Sequence, residues 1–352
     1  MIYKFTKYRE VRQFRGEALL SSEGENAPSF AARLNSFRVR EREYWPGKNG
    51  KPTTLDLVRR ASKVAGLNCV DLNYPDHLST YDARQLAADM ANCGVALNGF
   101  AMRYYDLDAY RLGAFTHPDP ATRRAAIDLT KQGIDALTSA GAGLMTLWMG
   151  QDGFDYSFQA DYGRMWENTI EAIREVADHN PAVDISIEYK PNEPRSFSLM
   201  PNVATTLLAI REIDRPNLGV TLDFAHVLYA DEMPAYAATL VARHSRLLGV
   251  HLNDGYAKRD DGLMVGAVHP IQTLELLYVL DRLGYDGAIY FDTFPDTTGL
   301  DPIGECENNI ATVHALRKAV ARLKDNQSLA RAIENQDAVT SQGIVRTALY
   351  GA

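Results

Sequence analysis

The chain has 352 residues, 46% of them hydrophobic, which is enough for a large core and too many for one small domain. A formal net charge of −8 argues against a nucleic-acid surface and for a small-molecule partner. Three cysteines, Cys69, Cys93 and Cys306, lack metal-type spacing and are odd in number, so a disulfide framework is not expected and a reducing compartment fits.

Residues 1–29 are charged and polar, with a loop-like Ser21-Ser22-Glu23-Gly24-Glu25-Asn26, and read as an N-terminal extension. They contain no apolar leader, and no apolar run of about 18 residues follows, so the expected location is cytoplasmic with no membrane contact. From residue 30 short apolar runs alternate with amphipathic stretches. The predicted strands are 30–37, 68–73, 95–102, 144–149, 183–189, 218–224, 247–252 and 288–294. The predicted helices are 54–65, 82–92, 121–140, 162–178, 203–213, 235–243, 271–283 and 307–323. Gly66, Gly94, Gly141 and Gly284 stand at helix ends before the next strand, which is C-cap chemistry. Between the first strand and first helix, the charged loop 38–52 carries Tyr44 and Trp45 and reads as a lid or a subunit contact. Eight strands alternating with eight helices, with no Gly-rich phosphate loop, give the expected fold: an α/β, (β/α)8 TIM barrel over 30–324 with terminal extensions. Residues 325–352 are polar and weakly periodic, and read as a tail that frays or wraps a neighbour in a homo-oligomer.

In such a barrel the chemistry sits where strands end. The fifth ends in Glu188-Tyr189-Lys190, the sixth in Asp223-Phe224-Ala225-His226, the seventh in His251-Leu252-Asn253-Asp254, and the eighth carries Asp292. In a strand, residues i and i+2 share a side, so Glu188 and Lys190 face one place. A buried carboxylate beside a buried lysine is costly unless a metal or substrate accounts for it. Singly, each residue has a bland reading: a satisfied core histidine for His251, a helix cap for Asp223, a turn residue for Asp292. On four consecutive strand ends, Glu188, Asp223, His251 and Asp292 form a mixed O/N set suited to Mn2+, Mg2+ or Co2+. A second ion between Glu193, His226 and Asp260 is weighed against an ordinary solvated loop, giving one or two ions per subunit.

Glu188-Tyr189-Lys190-Pro191-Asn192-Glu193-Pro194 resembles the segment EPKPNEP of xylose isomerases, which supplies a metal carboxylate and a substrate-contacting lysine. The resemblance extends over 217–226, His251-Leu252-Asn253-Asp254, Asp260-Asp261, Tyr285-Asp286-Gly287 and Phe291-Asp292. Gly113-Ala114-Phe115-Thr116-His117 and 147–153 resemble family segments that line the substrate pocket. The sequence thus resembles the xylose isomerase and L-rhamnose isomerase superfamily, nearest in ligand spacing to the rhamnose isomerase branch. By resemblance Glu188, Asp223, His251 and Asp292 hold a structural metal, and Glu193, His226 and Asp260 a catalytic one. Asn73 stands where the ring-opening histidine of classical xylose isomerases would be, with Asp76 and His77 further along the loop, and Gly262 replaces a frequent carboxylate for which Asp261 could compensate.

The resemblance implies aldose–ketose isomerisation by a metal-assisted hydrogen shift between C1 and C2. Lys190 would stabilise the carbonyl oxygen, Asp260 with His226 would handle the proton, and Trp148 and Phe100 would shield the path, with Asn73, Asp76 and His77 near the substrate. The alternative is enolisation of a keto-sugar, by a ketose 3-epimerase or by a lyase of the C-glycoside-deglycosidase type, the latter with a small partner subunit. An endonuclease IV-like nuclease and a non-catalytic sugar-binding scaffold are the remaining readings; the acidic charge disfavours the former and the complete ligand set the latter.

Overall fold

The computed structural model describes residues 28–48, 50–104 and 107–351; the expected N-terminal extension lies almost wholly outside them. Eight parallel strands close a barrel: β1 Phe30–Arg33, β2 Cys69–Tyr74, β3 Ala96–Met102, β4 Leu144–Trp148, β5 Asp184–Glu188, β6 Leu218–Asp223, β7 Leu247–Leu252 and β8 Ile289–Phe291. Each pairs with its sequence neighbours, and β1 closes on β8 through Phe30–Ile289 and Ala32–Phe291. Around it run α1 Thr54–Ala61, α2 Ala83–Asn92, α3 Pro120–Ser139, α4 Tyr162–His179, α5 Val203–Ile213, α6 Pro234–His244, α7 Pro270–Leu283 and α8 Pro302–Leu323. None of the described helices is long and apolar enough to cross a membrane.

Local chemistry accounts for the punctuation. Thr53 and Asp56 form a reciprocal capping box that starts α1. Asp82, Asp119, Asp161, Asn202 and Asp301 each accept a backbone N–H at a helix start. Gly66, Gly94, Gly141 and Gly284 all have positive φ, as their place after a helix requires.

Three elements differ from the sequence reading. The first strand stops at Arg33, because Leu34–Arg38 turns into a 3-10 segment. Leu34 and Phe37, three apart, share its buried face, and Ser36 Oγ donates to Thr293 O at 2.9 Å, tying the turn to the end of β8. Tyr44 and Trp45, expected in a lid or a subunit contact, pack on Arg60 of α1, whose guanidinium carbon lies 4.1 Å from the Tyr44 ring centroid. The C-terminal tail forms two helices, α9 Gln327–Glu334 and α10 Ala338–Tyr350, and Arg322 of α8 donates to Ala348 O at 2.9 Å.

Side-chain alternation sorts the strands into two environments. Outward residues such as Leu72, Met102, Met145, Ile185, Ile187, Val220, Leu222 and Val250 join the core beneath the helices. Inward residues are different. Ala31, Cys69 and Tyr290 plug the floor. Above them lies a polar layer in which Ser186 and Thr221 hydroxyls meet at 2.6 Å and Asn98 Nδ2 donates to Asp71 Oδ1 at 2.7 Å. The barrel therefore presents polar groups to whatever occupies its mouth.

Gly99 sits where β2 and β3 slip register, and a Cβ there would lie 2.6 Å from Leu144 O. We expect Gly99→Ala to destabilise the fold by about 1–3 kcal/mol, because backbone rather than a flexible side chain must yield. A urea midpoint equal to the parent's would show that the sheet relaxes there freely.

Candidate metal centre and active site

Glu188 ends β5, and its inward direction follows from Ile185 and Ile187 being core residues one step out of phase. Asp223 ends β6 and caps the short helix Phe224–Tyr229, accepting from His226 N at 2.9 Å. The capping and ligand readings of Asp223 are thus compatible, since the second oxygen faces His251 Nδ1 at 3.9 Å. His251 lies on β7 beside Tyr290, ring centroids 4.2 Å apart. Asp292 follows β8. Glu188, Asp223, His251 and Asp292 bring one ligand atom each to within 4.8 Å of one another.

The donor set fits a divalent cation. His251 Nδ1 is buried, has no hydrogen-bond partner, and lies 3.3 Å from Glu188 Oε1. Three carboxylates converge on it, a geometry that needs positive charge. In the absence of an ion, protons supply it. Burial would push Glu188 up, but the facing His251 and His226 outweigh this and hold it down at about 2. Burial would lower His251, yet Glu188 and Asp292 lift it to about 9. Asp223, buried and beside other carboxylates, rises to about 7, and Asp292 is also raised by burial. Oxygen and imidazole donors of this kind suit hard or borderline divalent ions.

Asn253 braces the group. Its Nδ2 donates to both oxygens of Asp223 at 3.2 and 3.1 Å and to Asp292 O at 3.1 Å, while its Oδ1 accepts from Ala225 N at 2.8 Å. Asp254, the next residue, points elsewhere and anchors the loop by accepting from Gly255, Val268 and His269.

The residues expected at a second ion are joined to Lys190. Lys190 Nζ lies 3.1 Å from Glu193 Oε2 and 3.1 Å from Asp260 Oδ2, so an ammonium sits between the two carboxylates. His226 Nε2 meets the same Asp260 oxygen at 3.1 Å, and Nδ1 faces Tyr189 O at 3.1 Å. Both ring nitrogens thus face acceptors. Burial opposes charging His226, but Asp223 and Asp260 outweigh it and raise the imidazole to about 10. Asp260 Oδ1 is buried without a partner. Asp261 is turned to the loop, accepting from Tyr256 N and Arg259 Nε, so it does not stand in for the carboxylate missing at Gly262.

Trp148 ends β4 with its ring centroid 5.6 Å from Lys190 Nζ, and a small cavity beside it is lined by Glu188, Lys190, Met149 and Met200. Phe100 is not beside it. Phe100 stacks on Tyr74 at 6.0 Å, and Tyr74 with Met102 packs under Gly133 of α3, so the ring faces the helices. Phe100 and Met102, two apart, share that outward side. Asn73 is buried at the end of β2. Its backbone N–H donates to His77 Nδ1 at 2.9 Å, and His77 Nε2 meets Asn35 Oδ1 at 2.8 Å. Both nitrogens of His77 are committed, and burial together with nearby arginines lowers it to about 3. It cannot serve as a free ring-opening base. Asp76 is exposed. The segments 113–117 and 147–153 do meet: Asp152 Oδ1 accepts from Ala114 N, Thr116 N and Thr116 Oγ1. Unanticipated are Arg33 and Asp71, which strand parity alone could have turned inward.

The model of the xylose isomerase-like TIM barrel family matches residues 58–326. The xylose isomerase of Thermus thermophilus is 29% identical over 190 residues, 52% of this chain and 49% of that protein. The chain therefore matches about half the length of that relative. Among solved structures, an L-ribulose 3-epimerase superposes with a TM-score of 0.66 at 15% identity, covering 86% of this chain and 99% of that one. A D-psicose 3-epimerase from Clostridium cellulolyticum H10 gives 0.60 at 15% identity, covering 82% and 98%. At that identity the superpositions speak for the fold alone, but with the family match over about three-quarters of the chain, the chain belongs to the xylose isomerase-like TIM barrel family.

Proposed function

We propose that the protein is a divalent-metal-dependent sugar isomerase that interconverts an aldose and a ketose by moving hydrogen between C1 and C2 of an open-chain sugar. The observation that carries this reading is the Lys190 ammonium, fixed by Asp260 and Glu193, two residues from Glu188 and its convergent donors. Glu188, Asp223, His251 and Asp292 would hold the ion, Mn2+, Mg2+ or Co2+. When bound, it supplies Lewis acidity toward two adjacent sugar oxygens. Lys190 donates to the carbonyl oxygen and stabilises negative charge that grows there. Asp260 accepts the sugar hydroxyl through Oδ1, with His226 as its charged partner on the other oxygen. The Trp148 ring covers the Lys190 side and excludes water.

A second reading has its own support. Among the described residues one four-donor group converges, with Lys190 Nζ rather than an ion beside Glu193 and Asp260, and Asn73 with a committed His77 offers no ring-opening base. Both features favour one-ion enolisation of a keto-sugar, as in 3-epimerisation or β-elimination.

Glu188→Gln should reduce turnover on a panel of aldoses and ketoses by on the order of a thousandfold, several kcal/mol of charge stabilisation. Bound metal should fall with it while the circular dichroism stays that of the parent. Full activity in metal-free variant protein would overturn the metal assignment. Turnover in D2O separates the two readings. Hydrogen retained between C1 and C2 supports the shift, and deuterium at C3 supports enolisation.

Metal affinity should depend on pH with a definite sign. An ion needs His251 Nδ1 bare, yet the ion-free imidazole keeps its proton up to about 9. Binding below that pH releases a proton, so Mn2+ affinity should rise with pH. Calorimetry from about pH 6 to pH 8 should show roughly tenfold per unit for each proton released. A flat profile would mean that His251 is not a ligand.

A further inference from the structure

A second, larger cavity lies between the starts of α3 and α4. Its volume is about 630 Å³, the size of a small-molecule site, and Leu112, Pro118, Pro120 and Met165 give it an apolar wall. It shares no lining residue with the small cavity beside Glu188 and Lys190. The two meet back to back: Asp152 lines the small one, Gly153 the large one, and Asp152 Oδ1 accepts from Thr116 Oγ1, in the wall of the large one, at 2.8 Å. Arg123, Arg164 and Arg195 line the large cavity, against one carboxylate, Asp161. Arg195 is answered, since its Nε lies 2.9 Å from Asp155 Oδ2 and its Nη1 donates to Arg111 O at 3.1 Å. The other two arginines have no carboxylate partner among the described residues. Arg123 Nη1 donates to the main-chain oxygens of His117 and Pro118 at 2.7 and 3.2 Å, which fixes the guanidinium without cancelling its charge. The Arg164 side chain is exposed and makes no hydrogen bond or ion pair among the described residues. Asp161 is spent on the start of α4, where its Oδ1 accepts from Arg164 N at 3.0 Å. Asp119, beside Pro120, is spent in the same way on the start of α3, accepting from Ala121 N and Thr122 Oγ1.

We infer that this cavity is a second binding site, for a small organic anion whose carboxylate or phosphate is held by Arg123 and Arg164. Guanidinium groups match the oxygens of either anion through paired N–H donors, and the apolar wall suits the remainder of such a molecule. Arg123, tied to two carbonyls, has its fork set before a ligand arrives, so little side-chain freedom is lost on binding. Arg164 adds the second charge from the first turn of α4. A neutral ligand would strip water from both guanidiniums and return nothing for the lost hydration. The site stands apart from the metal-ligand group and does not depend on which sugar reaction the protein performs.

Calorimetry on the metal-loaded protein tests this with benzoate and phenyl phosphate against benzyl alcohol, their neutral counterpart. We expect at least one of the anions to bind about tenfold or more tighter than the alcohol, the scale of a charged hydrogen bond. Which of the two gains identifies the group. Arg123→Gln and Arg164→Gln should each remove most of that advantage, and Arg164→Lys should retain part of it, with melting temperature as the check on folding. An anion can also settle on a bound metal, so the titration is repeated on Glu188→Gln, in which the metal-ligand group is broken and the advantage should persist. Equal binding of all three probes, an advantage that survives both glutamine variants, or one that disappears in Glu188→Gln each overturns the inference, and no variant needs to be active for the result to count.

Discussion

The need to neutralise three convergent carboxylates around one imidazole organises the mouth of this barrel. Glu188, Asp223 and Asp292 come from three strands and converge with His251 within 4.8 Å. Burying like charges this closely is unfavourable unless a cation or protons intervene. Without an ion, Glu188 and Asp292 outweigh burial and favour a proton on His251, and burial favours one on Asp223. A divalent ion would release them, so metal and proton compete for one set of groups.

Other features of the mouth follow from holding that group still. Asn253 joins the side chain of Asp223 to the backbone of Asp292 and to the helix that begins at Phe224, and so couples three strand ends. Beneath, the Ser186–Thr221 and Asp71–Asn98 pairs keep the interior polar without leaving those groups unpartnered. An apolar filling at that level would strengthen the desolvation of Glu188 and Asp223 and make ionisation harder still. The outward residues, such as Ile185 and Ile187, can then be wholly apolar, because the strand's two faces serve different purposes.

Periodicity made the eight strands and helices legible, and the residue at each strand end made the ligand group legible, because both depend on spacing within one segment. What stayed hidden depends on contacts between segments. That the strand 30–37 breaks at Arg33 follows from Ser36 reaching Thr293, more than 250 residues away. Phe100 reads from sequence as a pocket residue, but the register slip between β2 and β3 sets its phase, and the ring goes to the helix side. The motif around Glu193 and Asp260 suggests a second ion, and spacing alone does not show that Lys190 Nζ lies 3.1 Å from both carboxylates. His77 carries the residue type for acid–base work, and only its partners, the Asn73 N–H and Asn35, show it to be committed.

The Lys190 arrangement bears on how the site divides its labour. A lysine beside two carboxylates keeps its charge: burial opposes it, but Asp260 and Glu193 outweigh burial and raise its pKa. It is therefore a donor throughout, suited to an oxyanion and unsuited to proton abstraction. Asp260 is the complementary case, held ionised by His226 and Lys190 on one oxygen with the other left bare. Charge of each sign is thus fixed on the β5 to β7 side before a substrate arrives, a preorganised field of the kind that stabilises charge developing at adjacent oxygens.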